Sequence, residues 1–187
     1  MNYARVIGKV ISEHHRKYGC LYVVRTRRSG KRDVYDDIYV TLVKSAKRNA
    51  KIEVGSNYEF IGKIGLIEQA PVIYKNDICI YANTVLCADE SDEWKNEVII
   101  AGTIISKETN PKIPNKISMV LDPNDIYRNT YRIVAWNRRL EYIEKKNVGD
   151  SLNIFGELVK YDYRMHIQEE IKWLSRIEIA FWYEAKK

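Results

Sequence analysis

The chain has 187 residues, is 45% hydrophobic, and carries a net charge of +6 with a pI near 9.1. No run approaches the ~20 apolar residues of a membrane helix, and the opening MNYARVIGKV has neither an apolar h-region nor a small-residue cleavage site, so a soluble, cytoplasmic protein with no membrane partner is expected. Cys20, Cys79 and Cys87 are odd in number and form no C-x-x-C pair, and His14, His15 and His166 have no Cys or carboxylate at ligand spacing, so no disulfide framework, metal or cofactor is expected.

In chain order, the first half reads as strand, strand, strand, short helix, strand, strand. YARVIGKVIS, with Gly8 at its centre, opens it, and CLYVVRT follows. The basic run RTRRSGKR (25–32) leads through a Ser29-Gly30 turn to DIYVTLVK. These runs are rich in β-branched and aromatic residues, as strands are. KSAKRNAKI suits a short helix, VGSNYEFIGKI is the fourth strand, and DICIYANTVLC the fifth. The acidic stretch ADESDEWKNE (88–97) reads as a joint. The second half answers with EVIIAGTIIS, KISMVLD, TYRIVAW, the helix-compatible NRRLEYIEKKN, VGDSLNIFGEL and IKWLSRIEIAFWY. Leu140 and Ile143 are spaced to share a helical face.

A shift of 94 residues places Gly8 on Gly102, Val40 on Val134, Lys44 on Arg138, Gly55 on Gly149, Gly62 on Gly156, Ile64 on Leu158 and Val85 on Ile179. The chain is therefore read as two copies of one domain, at 1–90 and 95–187, related by a single offset without net insertion. The element order and length fit an all-β fold with short helices, two tandem OB-fold five-stranded barrels. An SH3-like barrel or a two-domain β-sandwich is the alternative. The glycines are expected to let strands bend as each barrel closes.

The second copy resembles the bacterial single-stranded DNA-binding proteins. The likeness rests on Asn96 to Gly102, the aromatic strand Tyr131 to Trp136, Arg138 with the helix at Leu140, and the glycine pair Gly149 and Gly156; Asn147-Val148 replaces a usual lysine. The first copy is similar but weaker. The resemblance implies non-enzymatic, sequence-independent coating of single strands in replication, recombination or repair, and a homodimer that presents four barrels. The chain departs from the family in ending FWYEAKK rather than in an acidic tip, which places recruitment of replication partners through a tail in doubt.

Binding a single strand without base readout needs cations for phosphates and flat rings for bases. Three segments combine them. In the first hairpin these are Arg25, Arg27, Arg28, Lys31 and Arg32, flanked by Tyr22 and Tyr35, with Tyr39 and Lys44 on and after the next strand. In TYRIVAWNRR they are Tyr131, Arg132, Trp136, Arg138 and Arg139. Trp136 stands between two readings: alternation with Val134 suggests core, and the family position suggests base stacking. In VKYDYRM they are Lys160, Tyr161, Tyr163 and Arg164, whereas the matching arm of the first copy has only Tyr74 and Lys75 and carries Glu68. Asp36-Asp37 and Glu169-Glu170 lack paired context and read as solvated. No P-loop, nucleophile elbow or zinc-protease motif is present, which argues against an enzyme. The expected partner is single-stranded nucleic acid, DNA in preference to RNA. The alternatives are a primosomal or mobile-element accessory protein bridging DNA and a helicase or polymerase, and an RNA-binding OB protein.

Overall fold

A computed structural model describes residues 1–16, 19–47, 50–67, 77–90, 92–125, 129–167 and 170–184, with only the backbone described over 163–167 and 170–176. The first copy comprises β1 (Asn2–Arg16), β2 (Gly19–Arg27), β3 (Tyr35–Leu42), α1 (Lys44–Lys47), β4 (Asn57–Leu66) and β5 (Ile78–Cys87). The second comprises β6 (Asn96–Asn110), β7 (Ile113–Asp122), β8 (Tyr131–Trp136), a 3-10 turn (Asn137–Arg139), α2 (Leu140–Glu144), β9 (Ser151–Ile167) and β10 (Glu170–Glu184). Ile143 is fully buried, with Leu140 packed partly against the same core, as their spacing predicts. Among the described residues no helix is long and apolar enough to cross a membrane.

Each copy closes on itself. In the first, β1 pairs with β2, β2 with β3, β3 with β5 in parallel, β5 with β4, and β4 with β1. In the second, β6, β7, β8, β10 and β9 close an equivalent ring, again with one parallel pair, β8 with β10. These are the tandem five-stranded OB-folds. Inward positions alternate along each strand and fill the barrels: Val6, Val24, Ile38, Phe60 and Ile80 in one, Ile100, Leu121, Ile133, Ile154 and Ile179 in the other.

The pairing registers correct the single offset. It holds at 94 for the first and fourth strands, where Gly8 matches Gly102 and Gly62 matches Gly156. Val10 pairs with Val24, and Ile104 with Leu121, so the second strands are 97 apart. Val24 then pairs with Ile38, and Leu121 with Tyr131, so the third strands are 93 apart. Ile64 pairs with Ile80, and Leu158 with Ile179, so the fifth strands are 99 apart. Val40 therefore matches Ile133 rather than Val134, and Val85 does not match Ile179. Length differences between the strands cancel only as far as the fourth: the second copy has three more residues between strands one and two, the first has four more between strands two and three, the second has one more between strands three and four, and the second then has five more between strands four and five, left as a net insertion.

The four strand glycines answer to this corrected frame. A Cβ at Gly8 would meet the carbonyl of Arg25, at Gly102 that of Asp122, at Gly62 that of Tyr81, and at Gly156 that of Ala180. Arg25 and Asp122 are 97 apart, and Tyr81 and Ala180 are 99 apart. Close approach of a neighbouring strand is what these positions require. Gly55 and Gly149 differ in kind, opening the turns into β4 and β9 at φ of +100° and +95°. Matching register shifts also recur, between Val10 and Ser12 and between Ile104 and Ser106.

The barrels are joined through β1 and β6, which pair antiparallel: Asn2 with Ile100, Tyr3 with Ile99, Ala4 with Val98, Arg5 with Glu97 and Val6 with Asn96. Under the offset of 94 this is a self-complementary contact about Ala4 and Val98, the pattern of an isologous dimer. Asn2 and Asn96 occupy equivalent places and make equivalent bonds. The Asn2 side chain exchanges two 2.9 Å hydrogen bonds with the Ile64 backbone, and Asn96 does the same with Leu158 at 2.6 and 3.0 Å.

Candidate nucleic-acid interface

The basic hairpin extends β2 and β3 from the first barrel. Arg28 N–H donates to Val34 and Lys31 N–H to Arg28, while Gly30 takes φ +70°, so the predicted Ser29-Gly30 turn is where the chain reverses. The hairpin is not a free arm. Arg28 grips Asp36 with two hydrogen bonds of 2.9 and 2.6 Å and also donates to the Lys160 carbonyl at 3.3 Å. The Lys160 N–H donates to the same Asp36 at 2.9 Å. At the tip, Ser29 N–H donates to Glu157 at 2.9 Å, and the Trp182 indole donates to the other Glu157 oxygen at 3.3 Å.

The first copy's hairpin is thus pinned across β9 of the second. Asp36 is 1% exposed, which corrects the expectation that Asp36-Asp37 is solvated. A buried carboxylate requires partners, and here a guanidinium fork and a backbone amide supply them. The fork also holds Arg28 more firmly protonated than usual. Burial pushes the Glu157 carboxyl above its ordinary range, against the opposing effect of its two donors. Asp77, which accepts from Ile177 N–H at 3.0 Å, is raised for the same reason.

These anchors divide the basic run. Arg25 pairs with Asp37 across the strands at 2.8 Å. Arg27, Lys31 and Arg32 face solvent. Tyr35 is exposed and meets Trp94 edge-on with centroids 5.6 Å apart.

Beside the hairpin stands an aromatic pair. In β8, Tyr131, Ile133 and Ala135 enter the barrel core. Arg132, Val134 and Trp136 therefore take the outer face. Of the two readings for Trp136, core packing is not the one observed: the ring is half-buried outside the barrel. Its indole N–H donates to the Tyr161 hydroxyl at 3.1 Å, with ring centroids 6.5 Å apart. Lys116, directly opposite Trp136 on β7, holds its ammonium 5.0 Å from the Trp136 ring and 5.6 Å from that of Tyr161. Arg28 lies 5.8 Å from the Tyr161 ring. Burial raises the Tyr161 phenol above its ordinary value.

Other expected site residues are placed elsewhere. Tyr131 is fully buried, its hydroxyl donating to the Ile64 carbonyl of the first barrel at 3.1 Å and its pKa pushed up to about 12 by burial. Tyr22 is likewise in the core. Neither ring is presented to a ligand, because alternation turns both inward. Arg132 is paired with buried Glu178 at 3.1 Å. Arg139 donates to the Phe181 carbonyl and lies 5.8 Å from the Trp182 ring, and Arg138 is exposed. Lys160 contributes its backbone to the Asp36 clamp. Tyr39 lies on the outer face of the first barrel with Leu21, Cys79 and Tyr81, beside a groove rimmed by Arg16, Lys44 and Lys47. The side chains of Tyr163, Arg164, His166 and Trp173, and residues Glu68, Tyr74, Lys75 and Glu169, lie outside the described residues.

Two features escaped sequence reasoning. Lys116 is an isolated cation in the sequence, and only the β7–β8 register brings it to Trp136. Glu13, His15 and Cys20 place one donor atom each within 4.8 Å of one another, correcting the expectation that His15 has no Cys or carboxylate nearby. The hairpin sets residue 15 opposite residue 20; a His and a Cys flanking a short turn was the available signal.

No protein-family model and no curated protein matches the sequence. Among solved structures, the chain is similar to the wild-type single-stranded DNA binding protein from Thermus aquaticus, at a TM-score of 0.66 and 14% identity, covering 100% of this chain and 94% of that one. A deletion mutant of the same Thermus aquaticus protein matches at a TM-score of 0.66 and 16% identity, with the same coverage. At these identities the likeness establishes the shared fold.

Proposed function

We propose that the protein binds single-stranded nucleic acid, DNA in preference to RNA, without reading sequence and without catalysis. The observation that carries this reading is the juxtaposition at the barrel seam. Solvent-facing Arg27, Lys31 and Arg32 lie on a hairpin that Arg28 and Ser29 pin beside the Trp136–Tyr161 pair and Lys116. Apart from Tyr161, which reaches in from the fourth strand, these groups lie on strands two and three of the two OB-folds or the hairpin between them, the side such folds use for oligonucleotides. Cations would follow the backbone while rings stack on bases of any identity. The fold shared with the Thermus aquaticus protein supports the same reading. The role proposed with it is coating of exposed strands during replication, recombination or repair, in the cytoplasm.

The proposed assembly is a homodimer. The outer face of the joined sheet carries Tyr3, Ile99, Phe155 and Tyr183 in register across four strands, with Phe155 and Tyr183 stacked at 4.8 Å. Such a row suits burial against a second copy.

Titration with oligo-dT, duplex DNA and poly-U at two salt concentrations tests the reading. Tight dT binding, weakened by salt and accompanied by tryptophan quenching, is the expected result. Equal affinity for duplex overturns it, and a preference for poly-U transfers it to RNA.

A further inference from the structure

We infer that the hairpin of β1 and β2 carries a binding site for a divalent transition metal, zinc by the chemistry of its donors, formed by Glu13, His15 and Cys20. The three side chains offer one carboxylate oxygen, one imidazole nitrogen and one sulfur within 4.8 Å of one another. Cys20 Sγ lies 3.3 Å from His15 Nδ1. Zinc bonds of about 2.3 Å to sulfur and about 2.0 Å to nitrogen at a tetrahedral angle separate these donors by roughly 3.5 Å. The cluster is therefore close to ligand spacing without rearrangement.

Its placement follows from strand geometry. His15 is directly opposite Cys20, and Glu13 is opposite Tyr22. Residues 13 and 15 share a face of β1, and Cys20 lies opposite His15, so the three donors form one patch. His14 points to the other face, where its Nε2 lies 3.3 Å from Ser12 Oγ. Tyr22 and Glu13 both lie within hydrogen-bonding reach of the Cys20 sulfur, so the thiol has neighbours able to orient it.

Charge also balances. A Cys20 thiolate and a Glu13 carboxylate neutralise a divalent ion, with His15 neutral and a fourth position left to water. Binding replaces the S–H bond with a metal–sulfur bond and releases that proton to solvent. Sulfur and imidazole together disfavour magnesium and calcium, which take oxygen donors. The metal would join the two strands one pair before the last of their ladder, Arg16 with Gly19.

The test uses the full chain, stripped with chelator and titrated with cobalt(II) and then zinc, without nucleic acid. The expected result is one equivalent per chain, a sulfur-to-cobalt charge-transfer band that zinc abolishes, and affinity that falls as pH is lowered. Cys20→Ser removes the band, and His15→Ala weakens zinc binding by at least the 10–100-fold typical of losing even an outer partner. His14→Ala leaves both unchanged. All three positions lie near the end of a surface hairpin, and circular dichroism checks that each variant folds. Absence of saturable binding at micromolar zinc overturns the site, as does equal binding by the Cys20 and His15 variants. Loss on His14→Ala alone reassigns the metal to the opposite face and also overturns it.

Discussion

Trp136 and Tyr131 lie in one six-residue strand and face opposite ways, so their substitutions separate binding from stability. Trp136→Ala removes a half-buried ring outside the core. It is expected to lower oligo-dT affinity by about tenfold or more, from a stacking contribution of about 1–3 kcal/mol per base, with little change in melting temperature. Tyr131→Phe deletes a hydroxyl that donates to Ile64 in a fully buried site. It should cost about 1 kcal/mol of stability and leave dT affinity intact; fluorescence titration and thermal melts on both variants check the contrast. Glu157 gives a pH signature. Its folded pKa is raised above the ordinary 4.5, chiefly by burial. In that window the folded state binds more protons than the unfolded state. Stability therefore falls as pH rises from the ordinary value through the raised one, and stays lower above it. Asp77 contributes with the same sign from its ordinary 3.8 upward. Glu157→Gln, which keeps an acceptor for Ser29 or Trp182, should flatten the decline in melting temperature as pH rises above the ordinary 4.5. An unchanged slope would exclude Glu157 as its source.

At the scale of elements, the hairpin has two kinds of arginine and lysine. Arg28→Ala leaves the Asp36 carboxylate buried with its guanidinium partner gone, a change expected to cost about 3–5 kcal/mol and to loosen the hairpin from β9. Replacing Arg27, Lys31 and Arg32 together should leave the melting temperature almost unchanged. It should reduce the salt slope of dT binding by up to about 2, since each single-strand phosphate contact contributes about 0.7; binding isotherms across a salt series measure it. The sequence showed this hairpin, its turn and its charge, because those are local properties. It did not show which cations are already engaged, because Asp36, Lys160 and Glu157 meet the hairpin only when the two copies are folded against each other. The strand order and both helices were likewise legible in the periodicity and the glycine spacing. The face of Trp136 stayed open in the sequence for a specific reason. The offset of 94 is valid in the glycine-bearing strands, but the third strands are related by 93, and one residue turns every side chain to the opposite face. Val40 seemed to vouch for Val134, whereas its true counterpart is Ile133.

At the scale of the molecule, the two barrels share more than a linker. Their strands run as one continuous pairing network through β1 and β6, and Asp36, Glu157, Asp77 and Tyr131 each bond across to the other copy. A single cooperative unfolding transition is therefore expected, with calorimetric and van't Hoff enthalpies in agreement. Two resolved transitions in scanning calorimetry would show that the barrels melt independently. The β1–β6 seam has a further consequence. When identical chains meet about a two-fold axis, every substitution appears on both sides, and the contact weakens on dilution. Here the same contact is made within one chain, so its effective concentration is fixed by the joint between the copies, and each side is encoded separately. One copy can lengthen its cationic hairpin by four residues while the other lengthens its aromatic arm by five, with neither change imposed on its counterpart. The seam keeps the geometry of a symmetric pair while freeing its halves to specialise.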